Sequence, residues 1–193
     1  MIDYITGSIT ELNPAFVIVE CNGIGYNINI SLNTYSALEK AKDCRILIHE
    51  AIREDAHLLF GFAEKEEREL FRQLITVSGV GANTARMMLS SLRPSDLSQS
   101  IIEANVNALK AIKGIGLKTA QRIIVDLKDK IGRHVSSGEI IAFSDNTARE
   151  EALSALVMLG FAKNNASKVL DNLLKENRNL PVEELIRKAL KLL

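Results

Sequence analysis

The sequence predicts a multi-domain α+β protein with an N-terminal five-stranded β-barrel, a central all-α domain and a C-terminal bundle of three helices. Three observations support this prediction. The first 62 residues alternate apolar and polar side chains with the two-residue period of strands. The following segment changes to a helical period and contains an internal repeat. The last 47 residues contain three further amphipathic segments with helical spacing.

The N-terminal segment, residues 1–62, contains five strand signals. The clearest is the alternation of apolar and polar residues from Ile24 to Ile30, which follows the Asn22-Gly23 turn signal. The other strands are expected near residues 4–10, 16–19, 46–48 and 58–60. Five short strands in one small segment are typical of an OB-type barrel.

An acidic loop, residues 53–57, joins the last two predicted strands of the barrel. Glu54 and Asp55 lie at its tip. From the residues alone, an ordinary solvated turn explains both carboxylates, because acidic residues are common in turns.

The central segment, residues 63–132, contains a repeat with a spacing of 35 residues. The stretch from Leu74 to Ala85 returns as the stretch from Leu109 to Ala120, with seven positions that agree in kind. Each copy predicts a helix, a Gly-aliphatic-Gly turn and a second helix, which is the pattern of a helix-hairpin-helix motif. The second helix begins with free N–H groups and the positive end of its dipole, which suit a phosphate. Two copies in register therefore predict a domain that binds the DNA backbone.

The candidate phosphate-binding residues follow from these two turns. They are Gly79, Gly81, Asn83, Thr84, Gly114, Gly116, Lys118, Thr119 and Arg122. Arg86 is a further basic residue in the helix after the first turn. Asn83 matches Lys118 across the repeat, so the first copy lacks one cation. The alternative for a single copy is that Gly-x-Gly only forms a tight corner.

The charge distribution is compatible with this hypothesis, although the net charge is zero. Residues 1–62 carry a net charge of −4, residues 63–133 carry +4 and residues 134–193 carry 0. The positive segment is the one that contains the repeat, and the location of charge governs electrostatic binding. A difference of a few charges decides nothing by itself.

Several function classes are disfavoured by the sequence. Cys21 and Cys44 are too few for a disulfide framework, and the three histidines have no metal-ligand spacing. The chain has no Gly-x-x-x-x-Gly-Lys-Ser/Thr loop, so we expect no ATPase site. It also has no signal peptide and no apolar stretch of 18 residues. We therefore expect a cytoplasmic protein without a catalytic residue, a metal, a cofactor or a membrane segment.

The C-terminal part is predicted to be a helical unit that follows a flexible linker, residues 133–146. The preceding helix is expected to end near Ile131, with Gly132 as its C-terminal cap. Thr147 and Glu150 have the spacing of a capping box, and three helices are expected within residues 147–193. Because this unit has no basic excess, we expect it to bind protein rather than DNA.

The order of these segments resembles the RuvA family of bacterial Holliday-junction-binding proteins. The resemblance covers the whole chain, and its most specific parts are REDAHLLFGF at 53–62, GVG at 79–81, GIGLKTA at 114–120 and ALVMLGF at 155–161. It implies an OB-type barrel, a tandem helix-hairpin-helix domain and a UBA-like bundle of three helices.

The family resemblance also implies a function in branch migration during recombination and DNA repair. Four subunits would form a homotetramer on a four-way junction, and either one tetramer or two face-to-face tetramers would hold it. Glu54 and Asp55 would form a central acidic pin. The third domain, with Leu159, Gly160 and Phe161, would contact the ATP-driven motor RuvB, and the resolvase RuvC would act on the same junction. Asn83 stands where many members carry Lys, so its DNA contact is left open.

The sequence leaves three alternatives to this function. The chain could be a generic helix-hairpin-helix duplex-binding protein or an accessory domain of a DNA-repair glycosylase or nuclease. A glycosylase needs an acid after the motif, and Asp126 or Asp129 could supply it, but both lie in a charged run typical of a solvated helix face. A protein-interaction scaffold without DNA affinity is the third alternative.

Overall fold

The computed structural model describes residues 1–138, 144–177 and 180–193. They form two units, Met1–Ser136 and Ser137–Leu193. The first unit begins with five strands and one short helix. These are β1 (Tyr4–Asn13), β2 (Phe16–Cys21), β3 (Ile24–Ile30), α1 (Leu32–Leu38), β4 (Asp43–Ile52) and β5 (His57–Phe62).

The five strands close into a barrel in the order β1-β2-β3-β5-β4, which confirms the predicted OB-type barrel. The pairing of β3 with β5 is parallel, and the other pairings are antiparallel. The predicted alternation in β3 is confirmed at Ile28 and Ile30, which are buried. Ile24 is exposed, because it lies at the hairpin end of the β2–β3 pair, where it is paired with Cys21.

Five helices follow the barrel, and the last of them ends two residues after Ser136. They are α2 (Lys65–Leu74), α3 (Ala82–Ser91), α4 (Pro94–Ile102), α5 (Val106–Lys110) and α6 (Leu117–Gly138). Their apolar faces share one core with the end of the barrel. In this core the ring centroid of Phe71 lies 5.3 Å from the ring centroid of Phe60 and 4.9 Å from that of Phe62. In α3, Met88 is buried in this core, whereas the adjacent Met87 is exposed. Consecutive helical side chains point about 100° apart, so Met87 and Met88 do not share one face.

The predicted end of α6 was wrong, because this helix continues through Gly132 to Gly138. Gly132 does not have the left-handed backbone that a C-terminal cap requires. A glycine within a helix costs only about 1 kcal/mol, which the buried face with Leu127 and Ile131 offsets. Residues 133–138 of the predicted linker are therefore helical, and residues 139–143 lie outside the described part of the chain.

The described residues of the second unit from Ser144 onward form three helices, α7 (Ser144–Met158), α8 (Lys163–Glu176) and α9 (Val182–Ala189), which confirms the predicted bundle. Its core includes Leu156, Leu170 and Leu185. The predicted capping box was wrong, because α7 begins at Ser144 and Thr147 therefore lies inside the helix.

Candidate nucleic-acid interface

The first predicted hairpin joins α2 to α3. Gly79 has a φ of +93°, a left-handed conformation that residues with a Cβ rarely adopt. The backbone N–H of Val80 donates to the carbonyl of Val77 over 3.0 Å, which closes the turn. Gly81 then precedes α3, and its carbonyl accepts the first helical hydrogen bond from Ala85 over 2.9 Å.

The second hairpin, between α5 and α6, has the same geometry 35 residues later. Gly114 has a φ of +89°. Ile115 donates to Ile112 over 3.1 Å, and Ala120 donates to Gly116 over 2.9 Å. The predicted repeat of helix, turn and helix is therefore confirmed as a repeat of backbone hydrogen bonds.

The four glycines of the hairpins fall into two structural types. Gly79 and Gly114 need their left-handed backbone, whereas Gly81 and Gly116 do not have a left-handed backbone. A Cβ added at Gly81 or Gly116 would meet no atom within 4 Å in the described part of the chain. Neither backbone conformation nor internal packing therefore requires glycine at these two positions, and its absence of a side chain matters only to a group that approaches from outside.

Each hairpin presents unpaired backbone donors beside these glycines. Within residues 1–138, the N–H groups of Ala82, Asn83 and Thr84 donate no hydrogen bond, because the first helical bond of α3 comes from Ala85. The equivalent N–H groups at residues 117–119 open α6 in the same way. Both helices are long enough to direct a positive dipole end at this surface, so a phosphate oxygen is a suitable acceptor there.

The side chains expected to support a phosphate differ in exposure. Asn83, Lys118 and Arg122 are exposed, while Thr84 and Thr119 are partly buried. Salt bridges found in the described residues include neither Lys118 nor Arg122. Neither charge is therefore neutralised by an ion pair in this part of the chain.

Two arginine contacts were missed by the sequence analysis. Arg122 of α6 donates from Nη1 to the carbonyl of Ser78 over 3.0 Å, which places this cation beside the first hairpin. Arg86 of α3 donates to the carbonyl of Ala15 over 2.7 Å and to Oδ1 of Asn29 over 3.3 Å. Burial lowers the pKa of Arg86 below its usual value. Long-range contacts of this kind have no local signal in the sequence.

The acidic loop lies where the sequence placed it, between β4 and β5. Arg53 N–H donates to the carbonyl of Ala56 over 2.8 Å, which closes the turn, and Glu54 and Asp55 are both exposed. At its base, Nε2 of His57 lies 3.4 Å from Oε1 of Glu50. The two carboxylates project from the barrel without a basic partner in the described residues.

The three residues expected to mark the motor-binding domain directly follow α7. Leu159 is 61% exposed, whereas Phe161 is partly buried and packs against the core of the bundle. Gly160 has a φ of +99°, and its N–H donates to the carbonyl of Val157 over 3.0 Å. Leu159 can therefore contribute to a surface, while Gly160 ends the helix and Phe161 stabilises the bundle.

Two other features are absent from the part of the chain that the structure describes. It contains no group of three His, Cys, Asp or Glu residues arranged to hold a metal ion. None of its helices combines the length and apolar character needed to cross a membrane.

Comparison with known proteins places this geometry in a family. The RuvA N-terminal domain model matches residues 1–61, the SAM-like helix-hairpin-helix tandem model matches residues 71–129, and the RuvA C-terminal domain model matches residues 147–193. A protein of Parabacteroides distasonis is 57% identical over 196 residues, with 100% of both chains covered. One of Bacteroides thetaiotaomicron is 53% identical over 199 residues, with 99% of each chain covered. Both relatives are named Holliday junction branch migration complex subunit RuvA. The chain therefore belongs to the RuvA family.

Proposed function

We propose that the chain binds Holliday junctions without reading base sequence and acts as the non-catalytic DNA-binding subunit of an ATP-dependent branch-migration complex. The observation that carries this proposal is the pair Gly81 and Gly116. Both leave open space over unpaired backbone N–H groups, although nothing within the described chain requires glycine there. A DNA phosphate has the charge and the acceptors that this surface suits. The names of the relatives support the choice of a Holliday junction as the DNA.

Two hairpins in one subunit would bind the two strands of one DNA arm. Gly79, Gly81, Gly114 and Gly116 would present backbone N–H groups to phosphates, and Thr84, Lys118, Thr119 and Arg122 would add hydrogen bonds or charge. Contacts with phosphates carry no direct sequence information. This suits DNA that must slide, because each mismatch at a base-reading interface costs about 1–3 kcal/mol.

Structure specificity would come from four-fold assembly. A homotetramer, alone or facing a second one, would hold one arm per subunit. Its four loops with Glu54 and Asp55 would bring eight carboxylates near the axis. Because like charges repel, these carboxylates would keep the DNA backbones apart and guide separated strands between the subunits.

The C-terminal unit would recruit the motor. Its exposed Leu159 offers an apolar contact, and its net charge gives no attraction to DNA. RuvB would hydrolyse ATP and pull the duplex, and RuvC would act on the same junction. The chain itself would need no cofactor and would work in the bacterial cytoplasm, in recombination, DNA repair and the SOS response.

A gel-shift titration of the full chain tests the proposal. The probes are a synthetic four-way junction and a linear duplex of equal length, each with excess competitor DNA. Strong preference for the junction is expected. Equal affinity for both probes would favour the generic duplex-binding alternative, and no binding to either would favour the protein scaffold.

A further inference from the structure

The two hairpins share a backbone but differ in charge. In the second hairpin, Lys110, Lys113 and Lys118 occupy three positions of the repeat. The residues 35 positions earlier are Ile75, Ser78 and Asn83, none of which carries a charge. The difference is therefore three cations within one repeat of the same geometry.

All three lysines are exposed and lie in or next to the second hairpin. Lys110 is the last residue of α5, Lys113 directly precedes Gly114, and Lys118 lies in the first turn of α6. Salt bridges in the described residues include none of the three. Their charges are therefore not neutralised by a contact within the unit.

Two basic residues of the helices that flank the first hairpin already have partners within the unit. Arg72, in the last turn of α2, lies 3.2 Å from Oε1 of Glu69. Arg86, in α3, donates to the barrel at Ala15 and Asn29. The cation that reaches this hairpin, Arg122, belongs to the second copy of the repeat.

We infer that the second hairpin supplies the cationic share of DNA binding, with Lys110 and Lys113 as further phosphate-binding residues. The first hairpin contacts its strand through backbone N–H groups, with Arg122 of the second copy beside them, and is fixed to the barrel by Arg86. This inference rests on the proposed function, because it assigns different roles to the two hairpins of the same DNA site. One strand of each DNA arm is then bound mainly by the lysine charges of the second hairpin. The other strand is bound mainly by backbone hydrogen bonds of the first hairpin, which salt weakens less than it weakens the lysine contacts.

Salt dependence of duplex binding tests this division. The test variant is Lys110→Gln/Lys113→Gln, and the control is Lys128→Gln/Lys130→Gln, which removes the same charge from the exposed face of α6. For each protein, the affinity for a linear duplex is measured by fluorescence anisotropy at KCl concentrations from about 0.05 M to about 1 M. All four lysines are exposed, so both variants are expected to fold, and circular dichroism checks this.

The negative slope of log K, the association constant, against log salt is expected to become shallower by about 1.8 in the test variant. This corresponds to two lost phosphate contacts at about 0.9 each. If the two proteins bind equally at 1 M salt, this corresponds to an affinity about 60-fold lower at 0.1 M. The control is expected to keep the wild-type slope. Equal slopes in all three proteins, or an equal loss in test and control, would overturn the inference while the proposed function stands. Failure of the wild-type chain to bind either junction or duplex would instead overturn the proposed function.

Discussion

Nη1 of Arg86 lies 2.7 Å from the carbonyl oxygen of Ala15, so a side chain of the first hairpin's second helix is bonded to the barrel. The residues are 71 positions apart in the sequence. A second contact comes from Asn33 of α1, the helix between β3 and β4, whose side-chain amide donates to the carbonyl of Leu92, directly after α3, over 3.1 Å. The barrel that carries Glu54 and Asp55 and the first hairpin are thus parts of one hydrogen-bonded frame.

Replacing Arg86 by Gln should lower stability without changing the salt dependence of DNA binding. The guanidinium contacts the barrel, and hydrogen bonds from a charged group contribute about 1.5–3 kcal/mol. Urea denaturation measures the first effect, and duplex titration in KCl measures the second. Arg122→Gln is the matched comparison. Because Arg122 is exposed, loss of its charge should make the slope of log K against log salt shallower by about 0.9. A similar loss of slope in Arg86→Gln would show that Arg86 contacts phosphate.

Replacing Gly81 by Ala should weaken DNA binding without a loss of stability. Its backbone is open to any residue and the new Cβ meets nothing in the described chain, so a gain of about 0.4–1 kcal/mol is expected. The methyl group would lift a phosphate from the N–H groups, and we expect duplex affinity to fall by about tenfold, or 1.4 kcal/mol.

Gly79→Ala is the control for this experiment. Its left-handed backbone should cost the alanine variant about 1–2 kcal/mol of stability. Thermal melts and duplex titrations of both variants separate the two effects. Unchanged affinity in a stable Gly81→Ala variant would remove the close approach of DNA from the mechanism.

The elements predicted from the sequence are those that a local pattern specifies. The strand alternation ending at Ile28 and Ile30 and the two Gly-aliphatic-Gly turns depend on neighbouring residues, and the structure confirms both. The predicted end of α6 was wrong. Gly132 is typical of a helix C-terminus, but tertiary packing continues the helix through it.

The roles of single side chains were less predictable, because they depend on residues far apart in the sequence. Arg86 has a side chain that could bind phosphate, but its guanidinium donates instead to the carbonyl of Ala15 and to Oδ1 of Asn29. Arg122 was assigned to the second hairpin, but it also donates to Ser78 of the first. A comparison of the two copies at every position would have found Lys110 and Lys113, since their charges have no counterpart 35 residues earlier.

Glu67 should make folding less favourable as the pH rises. Glu67 is 2% exposed, and its carboxyl group accepts hydrogen bonds from Ser31 and, over 2.6 Å, from Thr34. Burial raises its pKa above the usual 4.5, despite these two hydrogen bonds. The folded state therefore binds more protons than the unfolded state, and stability is lost as the pH rises from 4.5 through the higher folded-state pKa.

Urea denaturation of wild type and Glu67→Gln across this pH range measures the effect. The wild-type free energy of unfolding should fall relative to that of Glu67→Gln as the pH rises, because glutamine does not titrate. The exposed neighbour provides the control, and Glu66→Gln should follow the wild-type profile. Parallel profiles for wild type and Glu67→Gln would contradict the assigned titration.

Neutralising the acidic loop with Glu54→Gln and Asp55→Asn should change junction handling and leave the fold intact. Both side chains are exposed and the backbone hydrogen bond from Arg53 to Ala56 closes the turn without them. Removing the repulsion should increase junction affinity and alter the rate of motor-driven branch migration. Gel shifts and a strand-displacement assay with RuvB measure the two quantities. Migration identical to that of the wild type would exclude the carboxylates from the mechanism.

Replacing Leu159 by Ser should reduce motor-dependent branch migration without affecting junction binding. Leu159 is 61% exposed, so the substitution removes apolar surface while the bundle core of Leu156, Leu170 and Leu185 stays filled. Leu192→Ser is the control in the same unit, since this leucine is 63% exposed and lies beyond α9. Binding of RuvB is measured by calorimetry, and migration by strand displacement. If Leu159→Ser binds RuvB as tightly as the control does, the motor contacts another surface of the chain.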